Sequence, residues 1–269
     1  MKVSIVTISF NQAEFLERAM RSVLTQDYPD IEYIVVDPGS TDGSRALITA
    51  QGSRIKAILE KDNGPADGLN KGFAAATGEI FGYINADDAL LPGATRQAVA
   101  AFKQHPGADI VSAHSYVVDQ DARILRRGYS DHFGLKSRAH GAATLLQQST
   151  FFRRQAFLDV GGFNTDNHTC WDGELMVDMA LAGKRFHVED CFWSIFTLHP
   201  GGISGSGRLI ELYRQDEYRL FRKILGRDRR PLDALPDAVY RARRLASHPM
   251  RTLSQLYHRL AGERGRIEL

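Results

Sequence analysis

VSIVTISFNQAEFLERAMRSVLTQDYPDIEYIVVDPGSTDGS, residues 3 to 44, decides the fold. Val3 to Ser9 is a short β-branched run closed by the turn formers Asn11 and Gln12, the pattern of a fully buried parallel strand. From Ala13 to Leu24 the apolar residues Phe15, Leu16, Ala19, Met20, Val23 and Leu24 recur at three- and four-residue spacing, which predicts a helix with one buried face. Ile31 to Val36 is strand-like again and ends at Asp37. There PGSTDGS supplies turn residues and a Ser/Thr/Asp helix start.

The same alternation runs outward. Strands are expected at Ile55 to Leu59, Ile80 to Ile84 and Asp109 to Val118, with helices at Asp67 to Ala76 and Ala94 to Phe102. Strands and helices in this order predict an α/β fold, a mostly parallel sheet with helices on both faces. Ligands of such open sheets bind beyond the carboxyl ends of the strands. The residues there are mostly acidic: Asp37, then Asp62, then Asn85, Asp87 and Asp88. Residues 121 to 141 read as a hairpin and a loop. Gln148 to Arg153 is ordered; helices are expected at Gln155 to Val160 and Gly173 to Leu181, and strand-like segments near Phe186 and from Phe192 to Leu198. HPGGISGSG then breaks the pattern and closes the α/β unit at about residue 205, with a first half to about 105 and a second from 106 to 205.

Residues 206 to 269 form a different surface. The first 205 residues carry a net charge of −5 and the remainder +7, within an overall +2. Three short helices are expected there, on Leu209, Tyr213, Leu220 and Ile224, on Leu235, Val239 and Leu245, and on Met250, Leu253, Leu256 and Leu260. Their apolar stripes are expected to pack on the core, and the basic extension is a candidate for contact with an anionic membrane or an acidic partner, with a solvated arginine-rich face as the equal alternative. No apolar run approaches the ~20 residues needed to span a bilayer, and MKVSIVTISF is too short and β-branched for a signal peptide. The expectation is a cytoplasmic protein, at most peripheral at the inner membrane face. Cys170 and Cys191 suggest neither a disulfide framework nor structural zinc.

YINADDALLPG, residues 83 to 93, places Asn85, Asp87 and Asp88 at a strand-to-loop junction. Adjacent carboxylates there repel unless a cation intervenes. Oxygen ligands select hard ions such as Mg²⁺ or Mn²⁺, which complete their shells with water and substrate phosphates. Helix capping by either Asp is the alternative reading.

With SIVTISFNQAEFLERAMRSVLTQDYPDIEYIVVDPGSTDGS and EKDNGPADGLNKGFAAATGEIFGYINADD in order, residues 1 to about 200 resemble inverting family 2 glycosyltransferases of GT-A fold, in the branch that builds bacterial surface polysaccharides. The resemblance makes residues 1 to 205 a catalytic domain with a nucleotide-sugar half to about 105 and an acceptor half from 106 to 205, and implies that Thr7, Phe10 and Asn11 line a nucleotide pocket and that Asp37 reaches the base or ribose. Pro38 departs from the Asp or Gly of most relatives and leaves the base open. Asp62 would contact the nucleotide, while Asp67, Asn70 and Lys71 would face the donor. NADD resembles the family's DXD motif with Asn85 in place of the first Asp. Asp87 is thus the first choice as metal ligand, Asp88 the second, and His199 in LHPGG a third partner for metal or diphosphate.

Attack by a hydroxyl on an anomeric carbon requires a base. Asp172 in TCWDGELMVDMALAG matches the family's base position, with Glu174 as the alternative. Trp171 either stacks on a sugar or fills the core, and Gln147 and Gln148 are candidates to face the acceptor. The implied partners are a nucleotide-sugar donor, UDP-linked first and GDP- or dTDP-linked second, and a glycan or polyprenyl-linked acceptor. Nucleic acid is not expected. A sugar nucleotidyltransferase would open with a glycine-rich phosphate loop where FNQAEF stands. A noncatalytic binding scaffold is the remaining alternative.

Overall fold

The computed structural model describes residues 1–202, 209–247, 251 and 266–267. Val3–Ile8 (β1), Ile31–Val36 (β2), Lys56–Ile58 (β3) and Ile80–Asn85 (β4) form the parallel half of one sheet, in the order β3-β2-β1-β4. Thr150–Arg153 (β8) runs antiparallel between β4 and Ile110–Val118 (β6), and β6 pairs in parallel with Phe186–Thr197 (β9). Ala89–Leu90 (β5) closes the far edge against β9, and Ile124–Gly128 (β7) pairs with β6 as the expected hairpin. The two strand-like segments read near Phe186 and Phe192 are one strand, whose pairing with β6 shifts register around His114.

Alternating side chains of β1 feed two cores, as the period of two requires. Val3 and Ile5 meet Leu16, Met20 and Val23 of Ala13–Leu24 (α1) and Phe102 of Ala94–Gln104 (α4). Val6 faces the other side, with Phe73 of Pro65–Ala74 (α3), Phe157 of Arg154–Asp159 (α6) and Met176 of Trp171–Leu181 (α7). Each large apolar side chain buried this way stabilises the fold by roughly 1.5–3 kcal/mol relative to exposure. Close packing of α3 on β1 depends on Gly72, where an added Cβ would stand 2.5 Å from Val6 Cγ1.

Local signals act across the chain. α1 has no side-chain cap from its own N-cap residue; Asp42 Oδ2 of the PGSTDGS loop accepts the Ala13 N–H at 2.8 Å, ahead of Ser44–Thr49 (α2). The loop expected after the hairpin includes a helix, Leu135–Ala139 (α5), too short to show periodicity.

The C-terminal helices differ from expectation. Of the stripe expected on Ile210–Leu225 (α8), Leu220 is buried, together with the unexpected Phe221, while Tyr213 is exposed. Ala234–Ser247 (α9) instead docks through polar residues: Asp237 meets His140 at 2.8 Å, Arg244 meets Asp131 at 3.0 Å, and the Tyr240 ring stacks on His140. Its Leu235, Val239 and Leu245 are 68%, 48% and 55% exposed, so the stripe expected on the core faces outward. The third expected helix lies outside the described residues. Among those described, no helix is long and apolar enough to cross a membrane.

Candidate active site

The β5–β9 ladder determines the site. It fixes Thr197 beside the NADD turn, where the Thr197 N–H donates to Asp88 Oδ1 at 3.0 Å. Two residues further on, His199 Nε2 lies 3.1 Å from Asp87 Oδ2. Arg18 of α1 fastens the same turn, donating to the Asp87 carbonyl at 2.8 Å and to Thr197 Oγ1 at 2.7 Å. Sequence reasoning missed Arg18. Its signal is a charged residue three positions after Phe15 and four before Ser22 on the buried face of an amphipathic helix.

Asp87 and His199 line a cavity of about 830 Å³ with Phe10, Asp62, Asn85 and Asp172. Phe10, 59% exposed at its rim, offers a flat apolar face. Burial raises the Asp62 carboxyl above the ordinary carboxylate range against the opposing Gly64 N–H. The Asp87 carboxylate and His199 imidazole together fit a divalent cation that fills its shell from water and diphosphate. Asn85 Oδ1 beside them is buried without a partner among the described residues. Within that same set, the one trio of converging His and acidic donors is His105, His187 and Glu189, which lines neither this cavity nor the one beyond Asp172.

Asp88 is not a second ligand. It is fully buried, its oxygens taken by the Thr197 N–H and by Gln147 Nε2 at 3.3 Å. Burial and then the Asp87 charge push its carboxyl well above the usual range.

Asp172 opens α7 and forms part of the wall between the large cavity and a second one of about 410 Å³, which adds Tyr83, Arg138, Tyr213 and Glu217. Burial raises the Asp172 carboxyl, against the Gly173 N–H and the nearby Arg138 charge. A raised carboxylate that reaches two cavities suits proton transfer between their contents. Arg138 is itself held by Glu217 of α8, at 2.9 Å from Nη1 to Oε2. Glu174 is excluded as the base by its surroundings: it is fully buried and bonded by Arg219, Lys223, Asn164 and Asn167. Burial alone would raise its carboxyl, but these donors hold it down to about 2. Trp171 is 7% exposed, with an edge on the large cavity and its bulk in the core.

Several expected pocket residues instead build the walls behind it. Thr7 is fully buried and its Oγ1 accepts the Tyr33 hydroxyl at 3.0 Å, because strand alternation turns it away from the ligand side. Asn11, at φ 51°, accepts the Thr41 N–H and shapes the turn. Asp37 is fully buried, accepting from Gly39, Ser40 and Arg45, and these bonds overcome burial to lower its pKa. Its neighbour Pro38 lines the cavity instead. Asp67 accepts the Asn63 N–H and pairs with Lys71, whose ammonium also donates to the Lys61 carbonyl. Asn70 clamps Phe163 through both backbone groups. Gln147 and Gln148 do line the cavity.

Residues 4–162 match the sequence profile of Glycosyl transferase family 2. The chain belongs to this family. An uncharacterized glycosyltransferase of Nostoc is 37% identical over 131 residues, 46% of this chain and 40% of that protein. The GalNAc(5)-diNAcBac-PP-undecaprenol beta-1,3-glucosyltransferase of Campylobacter jejuni is 35% identical over 98 residues, 35% of this chain and 32% of that one. This family 2 glycosyltransferase therefore spans well under two thirds of the length of these curated relatives. Its fold matches S. aureus TarS in complex with UDP-GlcNAc at a TM-score of 0.68, with 19% identity over 98% of this chain and 76% of that one. It matches the Pyrobaculum calidifontis mannosyltransferase PcManGT, in complex with GDP-Man and Mn²⁺, at 0.65, with 20% identity over 97% and 76%. The GT-A architecture of the family is the architecture of this chain.

Proposed function

We propose that this glycosyltransferase is metal-dependent and inverting, and that it acts in the cytoplasm in the synthesis of bacterial surface polysaccharide. Its donor is a nucleoside-diphosphate sugar, UDP-linked in first choice and GDP- or dTDP-linked in second. Its acceptor is a hydroxyl of a glycan or polyprenyl-linked saccharide. The observation that carries this reading is one cavity lined by the Asp87–His199 pair and by Asp172.

The donor occupies the large cavity, its ring system against Phe10 and Pro38 and its diphosphate near Asp87 and His199. A Mg²⁺ or Mn²⁺ ion held by Asp87 and His199 would neutralise the charge that develops on the departing nucleoside diphosphate. Asp172 takes the proton of the acceptor hydroxyl, presented from the second cavity. The freed oxygen bonds to C1 as the bond from C1 to the diphosphate oxygen breaks, and the configuration at C1 inverts. The NADD turn keeps its place through Arg18 and buried Asp88.

The test pairs thermal shift and hydrolysis assays on UDP-, GDP- and dTDP-sugars with Mn²⁺, followed by NMR of the product anomer. One donor should raise the melting temperature by mass action and be turned over with inversion. A retained anomer overturns the mechanism. Binding without turnover identifies a scaffold instead.

A further inference from the structure

α9 is amphipathic in the inverse sense. A helix on a globular protein normally turns its apolar stripe to the core. At 100° per residue, Leu235, Ala238, Val239, Ala242, Leu245 and Ala246 share one arc of about 120°, and all six are exposed. Asp237, Tyr240 and Arg244 lie on the opposite side and make the docking contacts with His140 and Asp131. Leu232, just ahead of the helix, is 75% exposed. Arg243 and Arg241, both exposed, flank the stripe one on each side.

We infer that this face is a docking surface for an anionic lipid bilayer, on which α9 lies parallel to the membrane plane. Apolar side chains between two arginines match the layering of acyl chains beneath anionic headgroups. The contacts with His140 and Asp131 leave the stripe available, because they use the opposite side of the helix. α9 also packs where α5 ends, beside Gly141 and Arg138 of the second cavity. On the transferase reading above, bilayer docking would bring a lipid-linked acceptor to that cavity; the docking itself does not depend on that reading.

Vesicle co-flotation of the full chain tests the inference. The protein should float with phosphatidylcholine vesicles containing phosphatidylglycerol, more weakly with phosphatidylcholine alone, and less as salt rises. The double variant Leu235→Glu, Val239→Glu should lose at least about tenfold in partitioning. Arg241→Ser and Arg243→Ser should each lose about fivefold on anionic vesicles and little on neutral ones. Because all four positions are exposed, melting temperatures should stay near wild type. Absent flotation of the wild type, or undiminished flotation of the double variant, overturns the inference. So does a solution dimer that the double variant dissolves, since the face would then join two copies. Loss of donor turnover in the wild type would refute the transferase reading and leave the flotation result standing.

Discussion

His199 Nε2 lies 3.1 Å from Asp87 Oδ2 although 112 positions separate the two residues. The β5–β9 pairing makes this contact by bringing the end of β9 onto the NADD turn. Two side chains cannot fill the coordination shell of a cation, so affinity for the ion should depend on the donor diphosphate. Asp87→Ala should lower turnover by at least about a hundredfold and remove Mn²⁺ stimulation. His199→Ala should cost about tenfold or more, chiefly as a raised Mn²⁺ requirement. Unchanged Mn²⁺ titrations in both variants would refute the pairing as a metal site.

Asp172→Asn removes the proposed proton acceptor and keeps the shape. Acceptor turnover should fall by about a thousandfold, with donor affinity by calorimetry unchanged. Because the folded protein raises the Asp172 carboxyl, the active deprotonated form gains population only as pH rises through that elevated pKa. The acid limb of the kcat profile should therefore lie above the ordinary carboxylate range, and it should vanish in the variant.

Arg18 lines neither of the two cavities described above, yet it ties α1 to the Asp87 carbonyl and to Thr197. Arg18→Ala should weaken Mn²⁺ and donor together by about tenfold, as expected when a supporting residue behind a ligand is lost. A change in kcat alone, with Mn²⁺ affinity intact, would contradict this role.

Glu174→Gln removes a buried anion and leaves Arg219 with Asp216 and Lys223 with Asp178 as their remaining carboxylate partners. Losing these charge-assisted bonds costs about 1.5 kcal/mol at neutral pH, readable as a lower urea midpoint. Since the folded state holds Glu174 down to about 2, its stabilisation is complete above the unfolded carboxyl value. It is lost as pH falls toward 2. The variant should show a shallower acid limb of stability than the wild type.

Legibility in the sequence followed how local the physics was. β1, α1 and β2 could be read from Val3 to Val36 because burial on one helix face and two strand faces leaves a periodic trace. Asp62, Asn85 and Asp87 could be read because they stand at or after strand ends, and Asp172 only through the family resemblance; all four line the cavity. Thr7 and Asp88 could not be placed correctly, since a single position within a strand or turn decides whether a side chain meets ligand or core. Arg18 acts on a turn 69 positions away. The outward stripe of α9 has the same periodicity as a buried one; only the docked partners His140 and Asp131 reveal its direction.

The Arg219 and Lys223 bonds to Glu174, together with the Arg138–Glu217 pair, mean that α8 supplies cations and an anion on which the neighbourhood of Asp172 depends. A chain cut at residue 205 would keep every residue that lines the large cavity and still strand Glu174 without counter-ions. Evolution or an engineer swapping C-terminal segments between relatives would thus have to carry Glu174 and its partners as one inherited unit.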